Sequence, residues 1–520
     1  MFYFVPSWYN KDRKWYDTTP FWFRVYERME FDDTINQVKL FRNAEEKLGL
    51  LILNYQPQLR YGLHKQDLLS ENYWSFFDDI QNLSGRETKS VKFQDLNWPR
   101  GVQFIHSPFA VAVRKDHKTI GVVHFAENGN IRNIERYVDG QMLYDYVFDD
   151  RGFLSSLVYM KDGKAVHQDY LNKKGLWQVR EHLTDDRKIE INPQADKSFE
   201  KESYANWEEL IHERLSRFKE DCMSTEDKIV IAAHTQHNQL IAETFAEQKQ
   251  IYSLFAERFD IYNQEAMSLV LEKASLIVTE QNKVKEELRK IQRDKDQKVP
   301  VLHISPFDTR LRLGHSQNVK ELIIYFYVDS ISREELWKNL KVLLPMMEAD
   351  KTIQLFLVSY QHSSNFPALK EEVNNYIIDK LDAMTFFTPK EDSSENLIDE
   401  ITEMENNRIN YKVFTNETDI IKVMDTTRLI LDLGEHTDLY THIAAISAGI
   451  PQINSHQTEY VDNKKNGMII SKQTELAQAI EFYFDGLANW NQALVYAVQK
   501  MADYTSGKIL KQWKELLKHG

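Results

Sequence analysis

Two short polar stretches sit where an α/β sheet puts side chains to use. His234-Thr235-Gln236-His237 follows the apolar run Ile229–Ala233. Asp432 to Thr437 follows Leu429-Ile430-Leu431 and precedes the Ala-rich segment Tyr440–Ala448. Gly449 closes that segment as a helix stop, and Ile450-Pro451-Gln452-Ile453 begins the next run. Strand, loop, helix, Gly, strand is one turn of a parallel α/β sheet. Such loops lie at the carboxyl ends of strands, where open sheets bind ligands. Free amides and the positive end of a helix suit a phosphate or another anion. Two histidines with no third ligand nearby make a poor metal site, and ordering of their loop is the plain alternative. No metal and no cofactor are expected.

Other chemistry is missing. There is no G-x-x-x-x-G-K-[ST] for a P-loop and no G-x-S-x-G elbow for a hydrolase nucleophile. No Cys/His cluster has zinc spacing. The acidic pairs Asp32-Asp33 and Asp149-Asp150 read as caps and turns. A net charge of −14 argues against a nucleic-acid binder. One cysteine, Cys222, excludes an internal disulfide framework, fits a reducing cytosol and reads as a packing residue at a helix end. No apolar run approaches the length of a membrane span, and Met1 to Asn10 lacks the pattern of a signal peptide. A cytoplasmic protein is expected, with peripheral contact at the inner face of the membrane left open.

The elements that must position these stretches follow in chain order. A chain of 520 residues exceeds one core, so several domains are expected. Phe2–Val5 reads as a first strand. The aromatics Trp8, Tyr9, Trp15, Tyr16, Phe21, Trp22, Phe23 and Tyr26 follow, and core packing is the better reading of them. No glycine precedes Gly49, so the first strand–helix turn lacks the residues that let a backbone approach phosphate. A helix from about Thr34 is capped by Asp32 or Asp33 and presents Ile35, Val38 and Phe41; Leu48–Asn54 is the second strand. Glycines at 129, 140, 152, 163 and 175 then punctuate strand-like runs, most of them beside Asn or Asp. That spacing predicts a meander of antiparallel hairpins inserted into the first α/β domain. Its exposed face and two edges suit protein binding. Strand and helix alternate again from Ser203 to Thr279. A charged helix, Lys283–Lys298, is a solvated face or a patch for an acidic partner or membrane surface, and Val299-Pro300 reads as a linker. A second α/β domain begins at Val301, with strands at Leu322–Val328, Ile353–Val358, Tyr411–Phe414, Leu429–Leu431, Gln452-Ile453 and Met468–Ile470. Its helices include Glu334–Leu344, Glu371–Lys380 and Glu395–Glu405. The expected boundaries are 1–97 and 198–298 for the first Rossmann-like domain, 98–197 for the inserted sheet, 299–505 for the second Rossmann-like domain and 506–520 for a terminal helix.

The stretch from Leu429 to Pro451 resembles the sugar-nucleotide loop of GT-B glycosyltransferases, E-x7-E followed by A-x-x-x-G-x-P. Ala445, Gly449 and Pro451 match it. Counting back from Gly449, His436 and Ala444 stand where the two glutamates would be, and Glu435 lies one residue off register. The resemblance implies that the second glutamate position holds a donor ribose, and an alanine accepts no hydrogen bond. Where active relatives place an arginine and a lysine on the donor diphosphate, this chain has roughly Asp329-Ser330 and Glu335, with Arg333 able to reach in from the next turn. The fold class is therefore α/β, a GT-B-like pair of Rossmann-like domains with an inserted antiparallel β-meander sheet, and the resemblance implies that the terminal helix crosses back to the first domain.

The opening MFYFVPSWYN, the segment FWFRVYERMEFDDTINQVKLF and the region SAGIPQINSHQTEYVDNKKNG are similar to the first of the accessory secretory proteins of the accessory Sec system. That family resemblance implies a non-catalytic component, without catalytic residues, needed to export a glycosylated serine-rich repeat adhesin. It implies as partners the second and third accessory secretory proteins, the accessory Sec motor ATPase and the adhesin itself. The interdomain cleft is then the place for a sugar or peptide of the adhesin, with His234, His237, Glu435, His436 and Thr437 as candidate contacts. The alternative is an active GT-B glycosyltransferase using a UDP-sugar, with Glu435 displaced into the donor site. A lectin-like sensor with no role in transport is a third reading.

Overall fold

The computed structural model describes residues 1–10, 12–16, 32–184, 187–255, 258–295, 298–304, 313–361, 365–389, 404–414 and 417–519. Phe21, Trp22, Phe23, Tyr26 and residues 395–403 of the expected helix fall outside them. The chain divides into two compact units: one takes the described residues through 304 except Asp32, with those from Gln512 on, and the other takes Asp32 and those between.

The first unit is built on a seven-stranded parallel sheet. Its spatial order is Val301–His303, Ala274–Thr279, Lys249–Leu254, Lys228–Ala232, Phe2–Val5, Leu48–Ile52 and Asn72–Ser75. Strands such as Leu48–Ile52 are buried at every residue, as expected where helices cover both faces of a parallel sheet. Asn206 and Asn263 cap the helices Trp207–Cys222 and Gln264–Lys273, their side chains accepting from the amides of Glu209 and Ala266. Sequence order reverses between Phe2–Val5 and Lys228–Ala232. The chain runs outward from the first through Leu48–Ile52 and outward from the second through Lys249–Leu254. That reversal is the topological switch point of the sheet, and the crevice beyond its carboxyl ends is where such sheets bind ligands.

Inserted here is a ten-stranded antiparallel sheet running from Gln103–His106 to Ser203–Tyr204. The expected Asp-Gly hairpins are present: Asp139-Gly140 and Asp162-Gly163 both have positive φ at both residues, the geometry of tight primed turns. Five of the ten strands are not legible in the glycine spacing: Gln103–His106, Val111–Lys115 and Lys118–Phe125 before it, and Ile189–Ile191 and Ser203–Tyr204 after it. The turn between Val111–Lys115 and Lys118–Phe125, Asp116-His117, takes positive φ without a glycine.

The second unit holds a six-stranded parallel sheet in the order Ile409–Val413, Ile353–Ser359, Leu322–Tyr327, Thr427–Asp432, Gln452–Asn454 and Gly467–Ile469. Its switch point lies between Leu322–Tyr327 and Thr427–Asp432. The helix Leu439–Ala448 ends at Gly449, which takes φ 73° as a left-handed stop.

Several expectations need correcting. Val301–His303 pairs with Ala274–Thr279, so it is the edge strand of the first sheet and not the opening of the second. Residues Met404–Asn406 form a strand against Phe387–Pro389, not the end of a helix. In the helix Asp33–Asn43, Val38 and Phe41 are buried as expected but Ile35 is half-buried; Asp33 and Gln37 turn inward and bond Ser253. Cys222 ends its helix exposed, not packed. Asp149 and Asp150 do stand at a turn, closed by the Gly152 amide on the Asp149 carbonyl, but both are buried against Arg60.

Candidate functional site

Each sheet has a switch point, and one of the stretches singled out in the sequence lies at the carboxyl end of a strand beside it. In the first unit the switch point is flanked by the segment after Phe2–Val5, carrying Tyr9, and the turn after Lys228–Ala232, carrying His234 and His237. His237 is fully buried. Its Nε2–H donates to the Ala232 carbonyl (2.9 Å), which leaves Nδ1 to accept from the Tyr9 hydroxyl (2.6 Å). Both ring nitrogens are thus engaged inside the protein. Burial first, then the neighbouring His234 and Arg258, push its pKa down to about 3, so the ring stays neutral. His234 is half-buried; its Nδ1 accepts from the Gln236 amide and its backbone amide donates to Asn238 Oδ1. With Nδ1 accepting, Nε2 carries the ring proton. Burial, then Arg258, lowers its pKa as well. Tyr9 packs edge-on against both histidines and against Trp15.

Among the described residues, the Arg258 guanidinium beside these histidines is committed. Arg258 grips Asp33 through both Nη atoms (2.6 and 2.8 Å) and donates to the carbonyls of Ala233 and Ser253. A glycine-rich phosphate turn is replaced by Trp15, a buried tryptophan at φ 56° whose carbonyl accepts from the Tyr55 amide and whose indole N–H reaches Glu208. The aromatic segment is therefore core packing where residues are described.

In the second unit the crevice is closed by the chain itself. Gly434 lies against Ser330, so closely that a Cβ there would sit 1.9 Å from Ser330 Oγ. The Glu435 amide donates to the Ser330 carbonyl (2.9 Å), and the Ser455 hydroxyl donates to the Gly434 carbonyl (2.9 Å). The loop after one strand of the switch point is thereby strapped to the loop after the other. The helix N-terminus expected to offer free amides is capped from within. Asp438 accepts from the amide and the hydroxyl of Thr441 (2.8 and 2.6 Å), and its own amide donates to Asp432 Oδ2 (2.9 Å). The Asp432 oxygen also accepts from His442 Nε2 (2.9 Å). Tyr360 and Tyr325 extend the network, their hydroxyls 2.7 Å apart, with Tyr360 2.8 Å from Thr441 Oγ1. Sequence reasoning missed Asp438, Asp432 and His442; an Asp directly before the apolar helical run, three residues ahead of Thr441, was the available signal for the cap. Burial raises the Asp438 pKa to about 6.

A carboxylate already occupies the place of an anion. The residues at the expected diphosphate positions add no positive charge. Asp329 accepts from the Tyr360 amide (2.7 Å), Glu335 pairs with Lys338, and Arg333 is drawn to Glu372 (2.9 Å). Of the candidate contacts here, Glu435 and His436 are exposed and Thr437 is half-buried. The candidates thus fall into two groups, His234 with His237 in one unit and Glu435, His436 and Thr437 in the other. Among the described residues no group of three His, Cys, Asp or Glu side chains is placed to hold a metal.

The Asp438 cap gives a measurable pH signature. A carboxylate whose folded pKa is about 6, against about 3.9 unfolded, binds protons more tightly when folded. Its contribution is most favourable at low pH and weakens as pH rises from about 4 to 6. Asp438→Asn keeps a good capping side chain and removes the charge. We expect the variant to gain about 1–2 kcal/mol relative to wild type between pH 4.5 and 7 in urea denaturation; a difference independent of pH would contradict the buried-carboxylate assignment.

The chain matches the accessory Sec system protein 1 family over residues 1–520. It is 35% identical to the accessory Sec system protein 1 of Streptococcus gordonii, covering all of this chain and 99% of that relative. Among solved structures it is similar to accessory secretory protein in the complex of proteins 1, 2 and 3 from Streptococcus pneumoniae: TM-score 0.83, 31% identity, all of this chain and 99% of that one. At the level of fold it is also similar to the pneumococcal O-GlcNAc transferase GtfA in complex with UDP and GlcNAc: TM-score 0.69, 11% identity, all of this chain and 98% of that one.

Proposed function

The chain belongs to the accessory Sec system protein 1 family, and from that premise we propose that it acts in adhesin export as a non-catalytic assembly subunit. It is an accessory Sec system protein on a glycosyltransferase-like fold. The observation that carries the non-catalytic reading is the self-filled switch point of the second unit. Gly434 closed on Ser330 and Asp438 on its own helix end leave a nucleotide-sugar neither amides nor positive charge. A donor diphosphate brought there would face Asp438, Asp329 and Glu335. In this reading the fold is kept for the surfaces it presents.

On this proposal the protein assembles with the second and third accessory secretory proteins, as its pneumococcal relative does in the solved complex. The assembly serves the accessory Sec motor ATPase and a glycosylated serine-rich repeat adhesin. His234 is the contact retained in the first unit, since it keeps a ring N–H while both nitrogens of His237 are bonded internally. Exposed Glu435 and His436, with Thr437 beside them, are the contacts retained in the second, for a sugar or peptide of the adhesin. Among the described residues no helix is long and apolar enough to cross a membrane; peripheral contact at the inner face would use the helix Asn282–Asp294. There Arg289 pairs with Glu286 and Lys290 with Glu287, which leaves a weaker patch than the sequence suggests.

Two experiments test the proposal. Size-exclusion chromatography of the three purified accessory secretory proteins should give one co-eluting complex; separate elution would remove the assembly role. A serine-rich peptide bearing N-acetylglucosamine should bind the protein, with affinity reduced at least about fivefold by His234→Ala or His436→Ala. Binding unaffected by both changes would remove these contacts and leave the assembly role standing.

A further inference from the structure

The inserted sheet has two unlike edges. At one, Ser203–Tyr204 leads directly into the helix Trp207–Cys222, and Tyr204 is buried. At the other, Gln103–His106 pairs with Val111–Lys115 on one side only, and among the described residues no strand pairs with its other side. Native sheets blunt such an edge with charge, proline, a bulge or a cover. This strand is short, but it carries no Lys, Arg, Asp or Glu, and Pro108 falls beyond it, so each of its residues keeps an N–H. Ile105 is 44% exposed and Phe109, just past the strand, is 58% exposed.

The register continues the apolar surface inward. Ile105 stands opposite Ala112, and Ala112 opposite Val122. This row faces away from the side that packs Val111, Val113 and Val123 with Phe93 and Phe104. A strand laid along the edge would therefore find backbone partners and an apolar row beside them. The surroundings also carry a sign. Arg114, opposite Gln103, and Lys115 stand beside Asp116 at one end of the edge, where Lys118 is paired with Asp139 (3.7 Å), in a chain whose net charge is −14. A second copy of the same edge would bring like charges together, whereas an acidic chain would be attracted.

We propose that Gln103–His106 docks an extended acidic segment of a partner chain, which adds an eleventh strand and sets an apolar side chain against Ile105. The proposal rests on the assembly role above and gives it a surface. The test is hydrogen exchange read by mass spectrometry on the full-length protein, alone and with the purified second and third accessory secretory proteins. Slowed exchange in peptides covering residues 103–109 is the expected result. Complex formation without protection there would overturn the docking edge and leave the assembly role intact; failure to form any complex would remove both. Ile105→Lys, at an exposed position, should keep the melting temperature and weaken assembly by about tenfold or more, while Ile105→Val should retain it. Raising salt to about 0.5 M should weaken assembly further. An Ile105→Lys variant that assembles like wild type would overturn the proposal.

Discussion

Replacing Arg60 by Met should destabilise the first unit by about 3–5 kcal/mol in chemical denaturation, because it strands buried carboxylates. Arg60 is 1% exposed. Its Nε binds Asp150 Oδ1 (2.7 Å), one Nη binds Asp149 Oδ2 (2.9 Å) and the Pro57 carbonyl, and the other reaches Asp78 Oδ2 (3.1 Å). Arg151 completes the group, bonding Asp149 and Asp78 at 2.7 Å each. Asp78 belongs to the Rossmann-like part and Asp149 to a strand of the inserted sheet, so the cluster joins the two. Three carboxylates face two guanidinium groups. The excess negative charge and burial hold Asp150 at a pKa of about 6, with burial the larger cause. Removing Arg60 makes protonation of these acids still more favourable in the folded state. The defect should therefore shrink as pH falls from about 8 to 5, the sign opposite to simple acid denaturation. Arg60→Lys should rescue little, since one ammonium cannot span three carboxylates and a carbonyl. A loss under about 1 kcal/mol would show that water reaches the cluster.

The second large effect is expected at Trp513. The helix Ser506–His519 brings this fully buried indole edge-on to Phe41, 5.1 Å between ring centres, and Phe41 in turn meets Phe2 and Phe4. Lys249 donates to the Leu517 carbonyl and Lys514 pairs with Glu46 at the same place. Trp513→Ala should cost about 3–5 kcal/mol through lost burial and the cavity left behind. Trp513→Phe, which keeps most of the ring contact, should cost clearly less. Both are read from thermal unfolding of the full chain, followed by tryptophan-independent circular dichroism. Equal losses for Ala and Phe would contradict ring packing as the source of the effect, since the buried indole N–H has no hydrogen-bond partner among the described residues.

What could be read from the chain was local. Asp139-Gly140 and Asp162-Gly163 announced their turns because positive φ at two successive residues is written in Asp-Gly. Gly449 announced the end of its helix for the same reason. Asp116-His117 makes the same kind of turn with no glycine, and three strands around it went unread. The polar sites were harder. Asp149-Asp150 before Arg151-Gly152 has the composition of an exposed turn, and its partner Arg60 lies about ninety residues earlier. The bond from Tyr9 to His237 spans 228 positions. The helix start reads as an open anion site from a loop of Asp432 to Thr437 and a helix of Tyr440–Ala448, which leave Asp438 without a role; the hydrogen bond from Thr441 makes it the occupant of that site. The proposed absence of donor chemistry has one legible sign in the sequence, Ala444 where the resemblance places a glutamate; the contact of Gly434 with Ser330 follows only from the fold.

The central claim is that the switch point of the second unit holds its own side chains in place of a nucleotide-sugar. Isothermal titration of the full-length protein with UDP and with UDP-N-acetylglucosamine tests it most directly. The account predicts no saturable heat up to about millimolar ligand. Binding tighter than about 100 μM, abolished by Gly434→Val, would contradict it.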